Sequence, residues 1–137
     1  MFVNLFKNKY FILISIFFFS ACEESNSQAD YSLVGNWKWI ETSGGIAGIK
    51  ITPSSSKTER LTFSDSTISI YQNDSLAGVF KYSIEIEQTI FSEEPISVLK
   101  IPSFSSPSKV IFLTEDTLRL SDNFVDGMTQ TYVRLNY

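Results

Sequence analysis

Val79-Phe80-Lys81-Tyr82-Ser83-Ile84-Glu85-Ile86-Glu87 runs for nine residues with an unbroken two-residue rhythm. On an extended backbone successive side chains point to opposite faces. Phe80, Tyr82, Ile84 and Ile86 therefore share one face, and Lys81, Ser83, Glu85 and Glu87 share the other. A helix would need its apolar residues three and four apart. The stretch predicts a strand with one buried and one wet side, as antiparallel sheets have.

The same period recurs on both sides of it, over Leu33 to Glu41, Glu59 to Phe63, Thr67 to Tyr71, Ile96 to Ile101, Lys109 to Leu113, Thr117 to Ser121 and Thr129 to Leu135. That makes about eight strands. Asp65-Ser66, Asn73-Asp74-Ser75, Glu115-Asp116 and Asp126-Gly127 punctuate them with residues that bond locally to the backbone or tolerate positive φ. Tight connections at regular spacing predict an all-β antiparallel meander over 33–137, and a meander of this size can remove its exposed edges by closing into a barrel. A β-sandwich shows the same alternation and is the alternative. No strand-helix-strand pattern is present, which argues against a parallel sheet. Two connections are long. Thr42 to Thr58 carries Gly44, Gly45, Gly48 and Pro53 and would be the lid of any cavity, and Pro102 to Ser108 would carry Phe104 outward or over a barrel end.

The first part of the chain has a different character. Lys7 and Lys9 precede the apolar run Tyr10 to Phe19, which ends in Ser20-Ala21-Cys22-Glu23-Glu24. The run has the length of a secretory signal and falls short of the about 20 apolar residues of a spanning helix. It resembles the lipobox of bacterial lipoproteins, with Phe19 standing where Leu is usual. The resemblance implies a signal peptide over 1–21, diacylation of Cys22 and attachment of the protein to a membrane. The expected location is the bacterial cell envelope, on the outer membrane. Glu23 and Glu24 resemble a signal for display on its outer surface; a periplasm-facing attachment is the alternative. Residues 22–32 are polar and read as a flexible linker with a reach of at most roughly 35 Å.

Without Lys7 and Lys9 the 11 basic residues become 9, against 15 acidic ones, a formal net charge of −6. Nucleic acid is not an expected partner, because binding it requires a basic face. Chemistry is equally constrained. The chain has no histidine and one cysteine, so it offers neither an imidazole base nor the usual zinc ligands. Gly48 and Lys50 do not stand in a phosphate-loop pattern, Asp122 to Gly127 misses the spacing of a calcium loop, and the carboxylates fall on polar strand faces or in turns. No catalytic residue, metal or cofactor is expected, and the protein does not read as an enzyme.

Gly35-Asn36-Trp37 on the first strand and Thr131-Tyr132-Val133-Arg134-Leu135 on the last resemble the lipocalin arrangement, most closely that of the small lipocalin-like domains of bacterial lipoproteins. The resemblance implies that Trp37 sits at the closed end of a barrel with Arg134 packed across it, joining the first strand to the last. It also implies a function, the binding of a small apolar or amphipathic ligand, with Trp39, Phe63, Phe80, Tyr82 and Leu120 as candidate wall residues. A barrel of eight strands is either filled by side chains or holds one small ligand. A filled barrel would suit the alternative, a non-catalytic structural or partner-binding envelope lipoprotein.

Overall fold

The computed structural model describes residues 31–105 and 107–136. The expected signal peptide, Cys22 and most of the linker lie outside the described residues. Ten strands follow one another: β1 (Gly35–Gly44), β2 (Ile49–Ile51), β3 (Glu59–Phe63), β4 (Thr67–Gln72), β5 (Ser75–Lys81), β6 (Ser83–Thr89), β7 (Ser92–Lys100), β8 (Lys109–Leu113), β9 (Thr117–Asp122) and β10 (Met128–Leu135). All neighbours pair antiparallel in a single sheet, ordered β5-β4-β3-β1-β10-β9-β8-β7-β6, with β2 added beside β1.

Two strands exceed the expected eight. One is β2, which turns part of the long first connection into a hairpin, with Thr42 opposite Ile51 and Gly44 opposite Ile49. The predicted lid is thus partly sheet. Gly44 makes this turn feasible: its φ is +132°, and a Cβ there would lie 2.3 Å from the Gly127 carbonyl oxygen. The other comes from Val79 to Glu87, which breaks at Tyr82 into β5 and β6. Where the chain does turn tightly, it uses the expected residues: Asn73 and Asp74, both at positive φ (50° and 62°), join β4 to β5 in the geometry that matches strand twist.

The break at Tyr82 also decides how the meander ends. β5 and β6 are the two edges of the sheet, yet only one residue separates them. A single residue cannot reverse the chain, so β6 continues onward from β5 instead of folding back to pair with it. The expected closure is therefore not made by backbone pairing at this seam. Elsewhere the ends of the meander are joined, since β1 pairs with β10 from Asn36 opposite Leu135 to Gly44 opposite Met128, with a bulge between Trp39 and Glu41.

The curled sheet encloses one main core. Trp37 and Trp39 from β1, Leu61 and Phe63 from β3, Ile68 from β4, Leu99 from β7, Leu118 and Leu120 from β9, and Tyr132 from β10 are buried together, with Leu33 beneath them. No β6 residue joins this cluster. Ile84 and Ile86 point toward the same side as Leu99 and Ser97, their partners on β7, but remain 48% and 66% exposed. The buried face predicted for them is not formed: the sheet ends at their strand, and Ile86 lines an open cleft.

Candidate functional site

Register along β1 defines two ends. Gly35 faces Phe63 and lies near the floor, whereas Gly44 faces Met128 at the rim. At the floor Trp37 is fully buried and donates its indole N–H to the Leu33 carbonyl at 2.8 Å. Arg134 is its cross-strand partner, and the guanidinium carbon lies 4.1 Å from the ring centroid. The same guanidinium donates to the carbonyls of Ser32 (2.5 Å), Val34 (3.1 Å) and Glu115 (2.8 Å). Gly35 provides the room, since a Cβ there would come within 2.7 Å of an Arg134 terminal nitrogen. The pair expected from the Gly-X-Trp pattern thus meets, and a three-carbonyl clamp accompanies it.

Above the floor the interior is hollow. A chamber of about 250 Å³ is walled by Leu61, Ile68, Ile70, Leu99, Ile101, Phe104, Leu120 and Tyr132, and edged toward the rim by Glu59, Gln72, Lys109 and Gln130. A second space of about 240 Å³ adjoins it, sharing Glu59, Gln72 and Gln130 and adding Trp39, Thr42, Lys57, Thr58 and Asn73. The first is mostly apolar and the second mostly polar. Their arrangement suits a molecule with an apolar body and a polar end, because a few polar groups over an apolar wall fix orientation in most small-molecule sites.

The charges at the boundary are already occupied. Tyr132 donates its hydroxyl to Glu59 at 2.5 Å, and burial, followed by the neighbouring carboxylate charge, pushes its phenol well above the usual range. Lys109 pairs with Asp122, which also accepts from the Met128 N–H at 2.9 Å. Burial raises the Asp122 carboxyl, but the Lys109 ammonium and the Met128 N–H outweigh it and hold it below its ordinary value.

Of the candidate wall residues, Leu120 lines the chamber and Trp39 lines the polar space above it. Trp39 is nonetheless only 3% exposed, held by its N–H bond to Thr42 at 2.9 Å and covered by Lys57, whose ammonium is 5.5 Å from the ring. Phe63, Phe80 and Tyr82 do not line the chamber. Phe63 is buried near the floor with Tyr82 edge-on to it at 5.3 Å, and Tyr82 donates its hydroxyl to the Ser64 carbonyl at 2.7 Å. Phe80 meets Phe104 at 4.7 Å, so the Pro102 to Ser108 loop does fold across, bringing Phe104 to the chamber wall. Alternation identifies which face a residue takes but not its height between floor and rim. Ile68 and Ile70 carry the inward alternation, yet nothing local places them at chamber height; Tyr132 shares its face with Gln130 and Arg134, so alternation does not mark it as inward.

Fold and site together define an antiparallel β-meander, stoppered at one end by a tryptophan and arginine and hollow toward the other. Comparison of the chain with protein-family profiles, with curated proteins and with solved structures finds no match.

Proposed function

We propose that the protein is a membrane-anchored lipoprotein whose lipocalin-like barrel holds a small apolar or amphipathic molecule without acting on it chemically. The observation that carries the reading is the chamber: a space walled by aliphatic and aromatic side chains and edged by polar ones, in a sheet whose other end is packed solid around the fully buried Trp37. Supporting the reading at the open seam, Phe104 packs on Phe80 of β5 and Tyr82 packs on Phe63, beside the place where backbone pairing stops. The anchor is the acylated Cys22, in the bacterial envelope. Two acyl chains supply stable attachment where a single chain gives only marginal binding.

The test is native mass spectrometry of the protein extracted with its cargo, which reads acylation and ligand in one measurement. Wild-type protein should carry an additional small-molecule mass, and Ile70→Trp, which fills the chamber, should lose it while keeping the acyl groups. Equal cargo in both forms would place the ligand elsewhere, and no cargo in either would remove the binding reading. Cys22→Ala should leave the membrane fraction with its fold intact; a variant that still sediments with membranes would overturn the anchor.

The partner-binding alternative draws on a separate observation, the exposed apolar side chains of the two edge strands: Leu76, Val79, Ile84 and Ile86. Unpaired edges invite another strand. Crosslinking from Val79 or Ile86 to an envelope protein, in a variant that carries no cargo, would favour it.

A further inference from the structure

β7 and β8 are neighbours in the sheet but pair at only two positions, Val98 opposite Val110 and Leu99 opposite Lys109. Beyond these, the two strands separate. Pro95 lies on the part of β7 that leaves, and it has no N–H to give to a ladder. The β6–β7 turn is instead held against the loop after β9: the Ile90 N–H donates to the Asn123 side chain at 3.0 Å, and Asn123 donates to the Gln88 carbonyl at 3.3 Å. Phe91 rests edge-on against Phe112 at 5.4 Å. Val98 and Val110 are fully buried outside the main core, which shows how firmly this hairpin packs at its base.

The divergence leaves a cleft of about 630 Å³ that is separate from the chamber and shares no residue with it. One wall carries Ile86, Phe91 and Pro95, and the other carries Phe112 and Leu113. Arg119 is the one ionisable residue that lines it. Its guanidinium carbon lies 5.4 Å from the Phe112 ring centroid, and it makes no ion pair among the described residues. A guanidinium stacked on an aromatic ring keeps its planar fork free for a carboxylate or similar oxyanion. The volume lies in the range of small-molecule sites.

We infer that this cleft is a second binding site, and that it takes a single-chain amphipathic anion, with the charged group on Arg119 and the apolar body between Pro95, Phe112 and Leu113. The test uses the full chain in phosphatidylcholine nanodiscs with an octanoate that carries a photoreactive diazirine, its crosslinks located by peptide mass spectrometry. Crosslinks should fall within Ile86 to Ser97 and Ile111 to Arg119. Arg119→Gln should lower their yield by about fivefold, the scale of one exposed charge-assisted pair, and should leave crosslinking by the corresponding octanol unchanged. Ile70→Trp should not alter the octanoate result, which separates this site from the chamber. Crosslinks concentrated on Ile68, Ile70 or Tyr132, an equal yield from Arg119→Gln, or an absence of saturable crosslinking would each overturn the inference.

Discussion

Two seams run through this sheet, and they are built in opposite ways. Between β1 and β10 the pairing extends from Asn36 and Leu135 to Gly44 and Met128, interrupted by one bulge, and Arg134 adds bonds to three carbonyls beneath it. Between β7 and β8 the ladder lasts two residue pairs and then opens into a cleft. The difference follows from what each strand has behind it. Trp37, Trp39 and Tyr132 bring large side chains from β1 and β10 into the shared core, so burial and hydrogen bonding reinforce one another. The first half of β7 has Pro95 on its line, is largely exposed, and has Glu87 and Thr89 as its partners on β6, so neither term holds it to β8. One seam is suited to permanence and the other to access.

Breaking the tight seam should have the largest effect. Trp37→Ala removes a fully buried indole from the floor and should destabilise the domain by about 3–5 kcal/mol, read from the midpoint of denaturant unfolding; an unchanged midpoint would mean the floor is not the keystone of β1–β10 pairing. Next comes Arg134→Met, which keeps the aliphatic stem but leaves three carbonyls without their donor. We expect a loss of about 1.5–3 kcal/mol by the same measurement, with little recovery in Arg134→Lys, because an ammonium cannot reproduce the planar fork.

Tyr132→Phe should be milder at neutral pH, about 1 kcal/mol, the scale of one hydrogen bond. It should also alter the alkaline limb. Burial and Glu59 raise the phenol in the folded protein above the value of about 10 that it has when unfolded. The stability from keeping the hydroxyl protonated is therefore complete below that pH and falls as pH rises through the alkaline range. The variant's stability should depend less steeply on pH there, and parallel alkaline curves would refute the assignment. At the loose seam, Ile86→Ser should change stability by less than about 0.5 kcal/mol, as expected of a largely exposed side chain. A loss on the scale of Trp37→Ala would show that the open seam is structural after all.

These contrasts also explain what could be read from the residues alone. Period-two alternation and turn residues were sufficient for an all-β antiparallel meander, since both are local properties of an extended chain. The Trp37 and Arg134 pairing was legible because the two residues mark opposite ends of the pattern. The fate of Val79 to Glu87 was not legible. Its alternation is unbroken, yet the chain leaves one edge of the sheet and joins the other at Tyr82, and Ile84 and Ile86 stay exposed on that edge strand. That is decided by which strands pair, and alternation carries no information about pairing. Composition alone does not separate a filled interior from a hollow one, and the molecule is both: filled at the floor by Trp37, Phe63 and Leu118, hollow above them.

The β1–β10 ladder also governs the order in which the domain can assemble. It joins residues at the two ends of the described chain, Arg134 reaching Val34 across 100 positions, so the contacts that seat the floor are among the most distant in sequence. Closing such a loop exacts its entropy before any contact compensates for it, and sheets dominated by distant pairings fold slowly, on the order of milliseconds to seconds. The hairpins β3–β4 and β8–β9 can form early, from neighbouring residues alone. The floor cannot. Until the eight residues of β10 arrive, Trp37 has Leu61 of β3 on one side but no Arg134 over its ring, and a chain halted before Met128 would leave that side of the floor uncovered.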